Sequence, residues 1–203
     1  MVNRHAPVTL NDCNGAISVS NEYSPIEGSS CGGYGTVRNT GQISISDHSG
    51  DLVVENANGP VRIERSEGSY RVNNSFGLVQ VEGVEGSLTL GNAHAPIIIS
   101  DITGRIRAEN SSGPLQLSYF TGPIELSNRE GSIMVEFSNR ASGASTINST
   151  GGVVSVSLEP EMDLVFRATA VGGDIQSAFP LRLSTNRSEE RRVGKECRFG
   201  WSP

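Results

Sequence analysis

The stretch GPLQLSYFTGPIELSNREGSIMVEF, residues 113–137, repeats one short unit three times. Each unit begins with a glycine, and an aliphatic residue follows two and four positions later. The interval of nine residues holds from Gly41 to Gly131, with Ala95 as the single position that is not glycine. Because alternate residues of a strand point to the same side, each unit predicts a strand of about five residues with one apolar face, followed by a turn.

A second interval, twice as long as the first, indicates that two units form one coil. Asparagine occupies the same turn position in every second unit, at Asn56, Asn74, Asn92, Asn110 and Asn128. The intervening turns carry large apolar residues one position later, at Val84, Ile102 and Phe120. The two intervals predict an all-β fold, a single β-helix (β-solenoid) with two strands and about 18 residues per coil. Strand chirality leads us to expect a right-handed coil.

Stacking of such coils assigns a structural role to both sets of turn residues. Equivalent residues of neighbouring coils would lie about 4.8 Å apart. The asparagines would then form a hydrogen-bonded turn ladder, which more often caps turn backbone groups than binds a repetitive ligand. The three apolar residues would form a file in the core of the opposite turn.

The regular pattern weakens towards both ends of the chain. The stretch GSSCGGYG, residues 28–35, interrupts the count, and a connection rich in Ser, Asn and Ala follows Phe137. We expect the β-solenoid to span residues 1–186. Residues 187–203 hold the only lysine and the only tryptophan of the chain and resemble read-through from vector or adapter sequence. We therefore interpret them as a non-native or disordered tail.

Composition and charge exclude two classes of partner. The formal net charge of −6 argues against a nucleic-acid-binding surface, which needs clustered basic residues. No apolar run approaches the roughly 20 residues that cross a bilayer, so we expect no membrane span in this chain. The first residues also lack the layout of a secretory signal. We expect that the chain begins inside a longer protein.

The repeat units resemble those of a known family. Units such as GDLVVENANG, GPVRIERSEG and GRIRAENSSG are followed by GGVVSVSLEPEMDLVFRATAVGGDIQSAFP. Over about residues 8–183 they resemble a bacterial adhesin-like family, a domain of unknown function built from β-strand repeats. The resemblance implies a right-handed β-helix on exported or membrane-attached proteins of the bacterial envelope. It implies no catalytic residues.

Cysteines and histidines are the first candidates for chemistry. Cys13 and Cys31 are separated by the length of two units, so a disulfide between neighbouring coils is feasible if the register holds there. The alternative is two unrelated small residues. The three histidines share no metal-ligand spacing, and we expect His48 and His94 at solvent-facing turn positions. In nine-residue calcium solenoids an aspartate stands where this chain has buried aliphatic residues. We predict no metal site and no cofactor.

Carboxylates suggest a second possible chemistry. Glu64 and Glu82 fall on one outward column and Glu109 on another, so a carbohydrate-active enzyme is a hypothesis to weigh. The acidic residues are evenly scattered, which is typical of solvated faces. We therefore expect a protein that is not an enzyme.

The sequence favours a non-catalytic scaffold or adhesin-like module of the bacterial cell envelope. It would bind envelope polysaccharide or protein through regular polar faces, and it would be located in the cell envelope or outside the cell. Two alternatives stay open: a carbohydrate-active β-helix enzyme, and a sensor domain of an envelope-stress regulator.

Overall fold

The computed structural model describes residues 1–159, 166–172, 175–177, 183–184 and 194–198. Within these ranges the regular structure consists of β-strands, and no α-helix is present. The described residues accordingly include no helix with the length and apolarity that crossing a bilayer requires.

Two sheets run along the molecule, and apart from the last two described strands their pairing is parallel and the chain alternates between them. The strands of sheet 1 are β1 (Val8–Asn11), β3 (Ile26–Ser29), β5 (Ile43–Ser46), β7 (Val61–Glu67), β9 (Val79–Glu85), β11 (Ile97–Thr103), β13 (Leu115–Thr121), β15 (Ile133–Phe137), β17 (Val154–Leu158) and β19 (Ile175–Ser177). The strands of sheet 2 are β2 (Ile17–Ser20), β4 (Gly35–Asn39), β6 (Leu52–Asn56), β8 (Tyr70–Asn74), β10 (Leu88–Asn92), β12 (Ile106–Ser112), β14 (Ile124–Glu130), β16 (Ser145–Thr150), β18 (Phe166–Val171), β20 (Leu183–Ser184) and β21 (Gly194–Arg198).

Each strand up to β17 pairs in parallel with the strand of the same sheet that lies two places further along the chain. Beyond it, β18 pairs antiparallel with β21. In the middle of the molecule the paired residues are separated by two repeat units, as in Leu88 with Ile106 and Asn92 with Asn110. The structure therefore confirms the predicted β-solenoid, with two strands and two repeat units per coil.

The core lies between the two sheets and is continuous along the molecule. In β11, for example, Ile97 and Ile99 are buried, whereas Ile98 between them is half-buried on the outer face. The same alternation in the neighbouring strands stacks aliphatic side chains on one another from coil to coil. Burying one such side chain contributes about 1.5–3 kcal/mol, so the repeated apolar pair of each unit stabilises the stack.

The regular count is interrupted in the coil that contains residues 28–35, as the sequence indicated, but the missing residue lies just after this stretch and not within it. Ile17 pairs with Gly35, two full units later, so the register holds through it. The stretch is rich in glycine because it packs tightly: a Cβ on Gly33 would lie 2.1 Å from the carbonyl oxygen of Gly15. The missing residue lies in the next turn, where Ile26 pairs with Ile43, one position short of two units.

A second irregularity follows β15. Ile133 pairs with Val154, so this coil is longer than the regular ones, because residues 138–144 form a longer connection than the turns before it. The stacking continues beyond it, since β16 pairs with β18 and β17 pairs with β19. The insertion therefore leaves the stack intact.

The segment predicted to be a tail contains one described strand. The backbone of β21 pairs antiparallel with β18 and with β20. The rest of residues 187–203 lies outside the described residues. The domain boundary at residue 186 and the non-native origin of the tail stay predictions.

Candidate functional site

Two kinds of corner join the sheets, and they hold most of the residues singled out from the sequence. We call the turns from sheet 2 to sheet 1 the asparagine corner, because each of those after β6, β8, β10, β12 and β14 involves one of the five predicted asparagines. We call the turns from sheet 1 to sheet 2 the left-handed corner, after the backbone conformation described below.

In the asparagine corner, side-chain amides bind backbone carbonyls of two successive coils. The Nδ2 of Asn92 donates to the carbonyl of Ala95 in its own turn and to that of Gly77 in the preceding coil, both at 3.0 Å. Asn74 and Asn110 repeat both bonds. The carbonyls of Gly77 and Ala95 therefore each accept hydrogen bonds from two asparagine amides. The ladder runs from side chain to backbone and not from one asparagine to the next.

The ladder extends further than the sequence indicated. Asn21 and Asn39 are buried and donate to turn carbonyls in the same way, and both bind the carbonyl of Ser24. Because they are separated by two units, their role could have been predicted from the sequence. The turn after Asn39 is one residue short, however, so the regular interval counted back from Asn56 misses both of them. At the other end Ser149 pairs with Asn128 and its hydroxyl donates to the carbonyl of Gly152.

The left-handed corner encloses a file of inward side chains. Val84, Ile102 and Phe120 are buried and occupy paired positions in successive coils. The ring of Phe120 also packs edge-on against that of Phe137, with 5.1 Å between the ring centroids.

Towards the N-terminus, the same file continues with polar residues that the sequence pattern did not reveal. Ser66 pairs with Val84, and the amide of His48 donates to the Ser66 hydroxyl at 3.3 Å. The next inward positions are Cys31 and Cys13, which form a disulfide between neighbouring coils. Counting back from Val84 in steps of two units would have found these positions, provided that one residue is subtracted from the step across the short turn after Asn39.

The expected solvent-facing position of His48 was wrong. Its side chain is buried, with the residue only 2% exposed, because the file places it where Val84 stands two coils later. Its ring meets that of Tyr70 edge-on at 6.1 Å, and the Tyr70 hydroxyl donates to the His48 carbonyl at 3.2 Å. Burial lowers the pKa of His48, while backbone hydrogen bonds with Gly33 and Cys31 act in the opposite direction. Burial also raises the pKa of Tyr70 to about 12. His94, by contrast, is exposed.

The backbone of the left-handed corner is uniform although its outer side chains are not. One residue in each of seven successive coils has a positive φ between 45° and 64°: Asp12, Ser30, Asp47, Arg65, Gly83, Asp101 and Tyr119. This left-handed region is easy for glycine and unfavourable for large side chains. These seven positions therefore share one backbone conformation although their side chains differ.

Charged side chains on the outer faces form scattered pairs. The guanidinium of Arg65 binds the carboxylate of Asp47 in the preceding coil through two bonds of 2.9 and 3.0 Å. That hydrogen bonding lowers the pKa of Asp47. Glu64 and Glu82 occupy neighbouring coils. In the described part of the chain, no three His, Cys, Asp or Glu residues are grouped as a metal site would require.

Exposed aromatic rings mark the remaining candidate surfaces. On the asparagine corner, Tyr23 stacks on His5 with ring centroids 5.0 Å apart, and Phe76 stacks on His94 at 4.8 Å. Tyr34 and Tyr119 are exposed too, and they line two separate shallow grooves of about 390 and 410 Å³. Each of these grooves is thus lined in part by an exposed tyrosine.

Comparison with known proteins identifies one relationship. The model of the family described as Toastrack DUF4097 matches residues 4–198. No curated protein and no solved structure matches the chain.

Proposed function

This chain belongs to the Toastrack DUF4097 family, a domain of unknown function, and on that premise we propose that it is a non-catalytic scaffold module of the bacterial cell envelope. The observation that carries the proposal is the unbroken stack, in which parallel pairing continues from β1 to β19 and from β2 to β18. A stack of this kind is stiff because each coil is held by its neighbours over both sheets.

The contacts of the repeated turn positions support a structural rather than a chemical role. The asparagine amides are engaged by turn carbonyls, as with Asn92. The inward file of the left-handed corner is filled by packed side chains, from His48 to Phe120. Groups that bind backbone or fill the core are not free to contact a substrate, so binding would use the outer faces and corners.

The disulfide supports a location outside the cytoplasm. Cys13 and Cys31 join two coils, and disulfides form and persist mainly in oxidising compartments. An envelope location fits a rod whose outer faces carry polar residues, such as Gln80 and Gln116 on sheet 1. In an adhesin-like role these faces would contact envelope polysaccharide or protein.

Alkylation of whole cells followed by fractionation tests the location. In a bacterium that encodes the protein, thiols are blocked before lysis, and the fractions are then reduced and labelled with a second reagent. We expect the protein in the envelope or outside the cell, with Cys13 and Cys31 labelled only after reduction. Recovery from the cytosol with both cysteines blocked in the first step would refute the proposal.

A carbohydrate-active enzyme is the second candidate, and one observation favours it. Glu64 and Glu82 lie side by side on the outer face of sheet 1, one coil apart. The spacing of neighbouring strands, about 4.8 Å, is close to the roughly 5 Å between the carboxyl groups of retaining glycosidases. Incubation with solubilised envelope glycans should give no cleavage products. Cleavage that is lost in Glu82→Gln would favour the enzyme.

A further inference from the structure

Tyr119 is an exposed aromatic residue whose ring, like that of the equally exposed Tyr34, has no stacking partner among the described residues. It is 68% exposed, on the left-handed corner. Tyr23 and Phe76 are exposed to a similar degree, but each stacks on a histidine. Within the described residues no ring stacks on that of Tyr119. Tyrosine is enriched at binding interfaces, because its ring offers a large apolar face and its hydroxyl a polar end.

The backbone at Tyr119 is also held in an unfavourable conformation. Its φ of 50° lies in the left-handed region, where a bulky residue is an outlier. Gly83 occupies the equivalent position two coils earlier, so the fold accepts glycine there. A tyrosine that costs stability at a site where glycine would serve suggests a role other than folding.

The groove beside Tyr119 is formed by the left-handed corner and the connection after β15. It has a volume of about 410 Å³ and is lined by Asp101, Asn139, Arg140 and Glu159 among others. This volume is within the range of small-molecule sites. The backbone amide of Asn139 donates to Oε2 of Glu159 at 2.9 Å, which ties the connection to the end of β17.

The floor of the groove is anchored in the core. Phe120, next to Tyr119 in sequence, is buried and packs against Phe137, the last residue before the connection. Thr103 and Thr121 are paired on neighbouring strands and contribute to the lining. The tyrosine and the two threonines are therefore presented from rigid strands.

The polar groups of the groove suit a ligand with hydroxyl groups. Asp101 and Glu159 offer acceptors, Arg140 offers donors, and the threonine hydroxyls do both. Because the lining mixes carboxylates with a guanidinium, a strongly charged ligand would meet a like charge. A sugar is neutral, its hydroxyl groups donate and accept, and its C–H face is apolar enough to lie on a tyrosine ring.

We propose that the groove at Tyr119 binds a neutral glycan, with the tyrosine ring as the platform for one sugar unit. Asp101, Arg140 and Glu159 would contact its hydroxyl groups. This inference rests on the proposed scaffold function and deepens it, because it assigns a ligand class and one site to the rod.

Titration of neutral oligosaccharides into the isotope-labelled protein, followed by NMR, tests the inference. The probes are cello-, xylo-, manno- and chito-oligosaccharides. We expect at least one to bind saturably, with a Kd of about 1 mM or tighter. Tyr119→Gly and Tyr119→Ser should weaken that binding about tenfold or more, whereas Tyr119→Phe should retain most of it. Phe76→Ser, which removes an exposed ring on the opposite corner, should bind as the wild type does.

Unfolding measurements separate loss of the platform from loss of the fold. Tyr119→Gly should unfold at a temperature no lower than the wild type, because glycine is favoured at this φ. Failure of every probe to bind the wild type would overturn the inference, and so would unchanged binding by Tyr119→Gly. Mass spectrometry of the probes after incubation distinguishes the two proposals: cleavage would refute the non-catalytic scaffold, whereas absence of binding would refute only the glycan site.

Discussion

The asparagine corner and the left-handed corner turn the chain between the same two sheets by different means. At the asparagine corner the side chain is nearly constant, and its amide binds carbonyls of two coils, as Asn92 does. At the left-handed corner the backbone conformation is constant, and the outer residue varies from Gly83 to Tyr119. A corner held by side chains leaves little freedom in sequence. A corner held by backbone geometry leaves its outer positions free to acquire function.

The largest expected effect comes from the inward file of the left-handed corner. Phe120→Ala should lower the free energy of unfolding by about 3–5 kcal/mol, because it removes a buried ring and leaves a cavity beside Phe137. Phe76→Ala is the control on the asparagine corner, where the ring is 61% exposed, and should cost much less. Denaturant unfolding measures both. Equal losses would contradict the view that the ring of Phe120 is part of the core whereas that of Phe76 is not.

A smaller loss is expected at the asparagine corner. Asn92→Ala should lower the free energy of unfolding by about 1–3 kcal/mol, since two buried carbonyls lose a donor. Asn92→Asp should cost more at neutral pH, because a carboxylate would face those carbonyls without a proton to donate. The matched control is Asn58→Ala, at an exposed position of the same corner. If the aspartate variant proved as stable as the wild type, the ladder would not contribute as described.

The buried histidine gives the left-handed corner a pH dependence. Burial lowers the pKa of His48 in the folded protein. As the pH falls below the ordinary value of 6.5, the histidine of the unfolded chain is therefore protonated first, and that of the folded protein only at a lower pH. Its contribution is therefore full above pH 6.5 and is lost as the pH falls through the folded pKa. His48→Val, which copies Val84, should reduce the fall in stability between about pH 7 and pH 5. Identical profiles for the two proteins in urea unfolding would contradict this.

The smallest expected effect has the opposite sign. Tyr119→Gly should raise the free energy of unfolding by about 0.5–1 kcal/mol, because a strained side chain at positive φ is removed. Tyr34→Gly is the control: it is an equally exposed tyrosine without a positive φ, and glycine there should be neutral or destabilising. Thermal unfolding compares the two. A loss of stability in Tyr119→Gly would show that the tyrosine serves the fold.

Much of the regular middle of the molecule was predictable from the sequence. The two-unit interval predicted the pairing that the structure has for Asn74, Asn92 and Asn110. Alternation predicted that Ile97 and Ile99 would be buried. Both follow from local rules, since the pleat sets which side chains share a face and the coil length sets which residues stack.

The errors arose where local chemistry and position in the coil disagree. His48 was expected at a solvent-facing turn position, yet its place in the inward file buries it. Asn39 was overlooked because the following turn lacks one residue, and the count from Asn56 backwards then fails. The positive φ of the outer column was not visible, since residues as different as Arg65 and Tyr119 share it.

The sequence alone determined the coil length and the inward and outward faces of its strands, because both are periodic and each period is written in the chain. Only the tertiary structure decided which carbonyls the asparagines bind, that His48 lies in the core, and that the insertion after Phe137 forms a groove with Tyr119. Those features depend on contacts between coils. Such contacts are set by the accumulated register of all preceding turns, in which one short turn or one insertion changes every later partner.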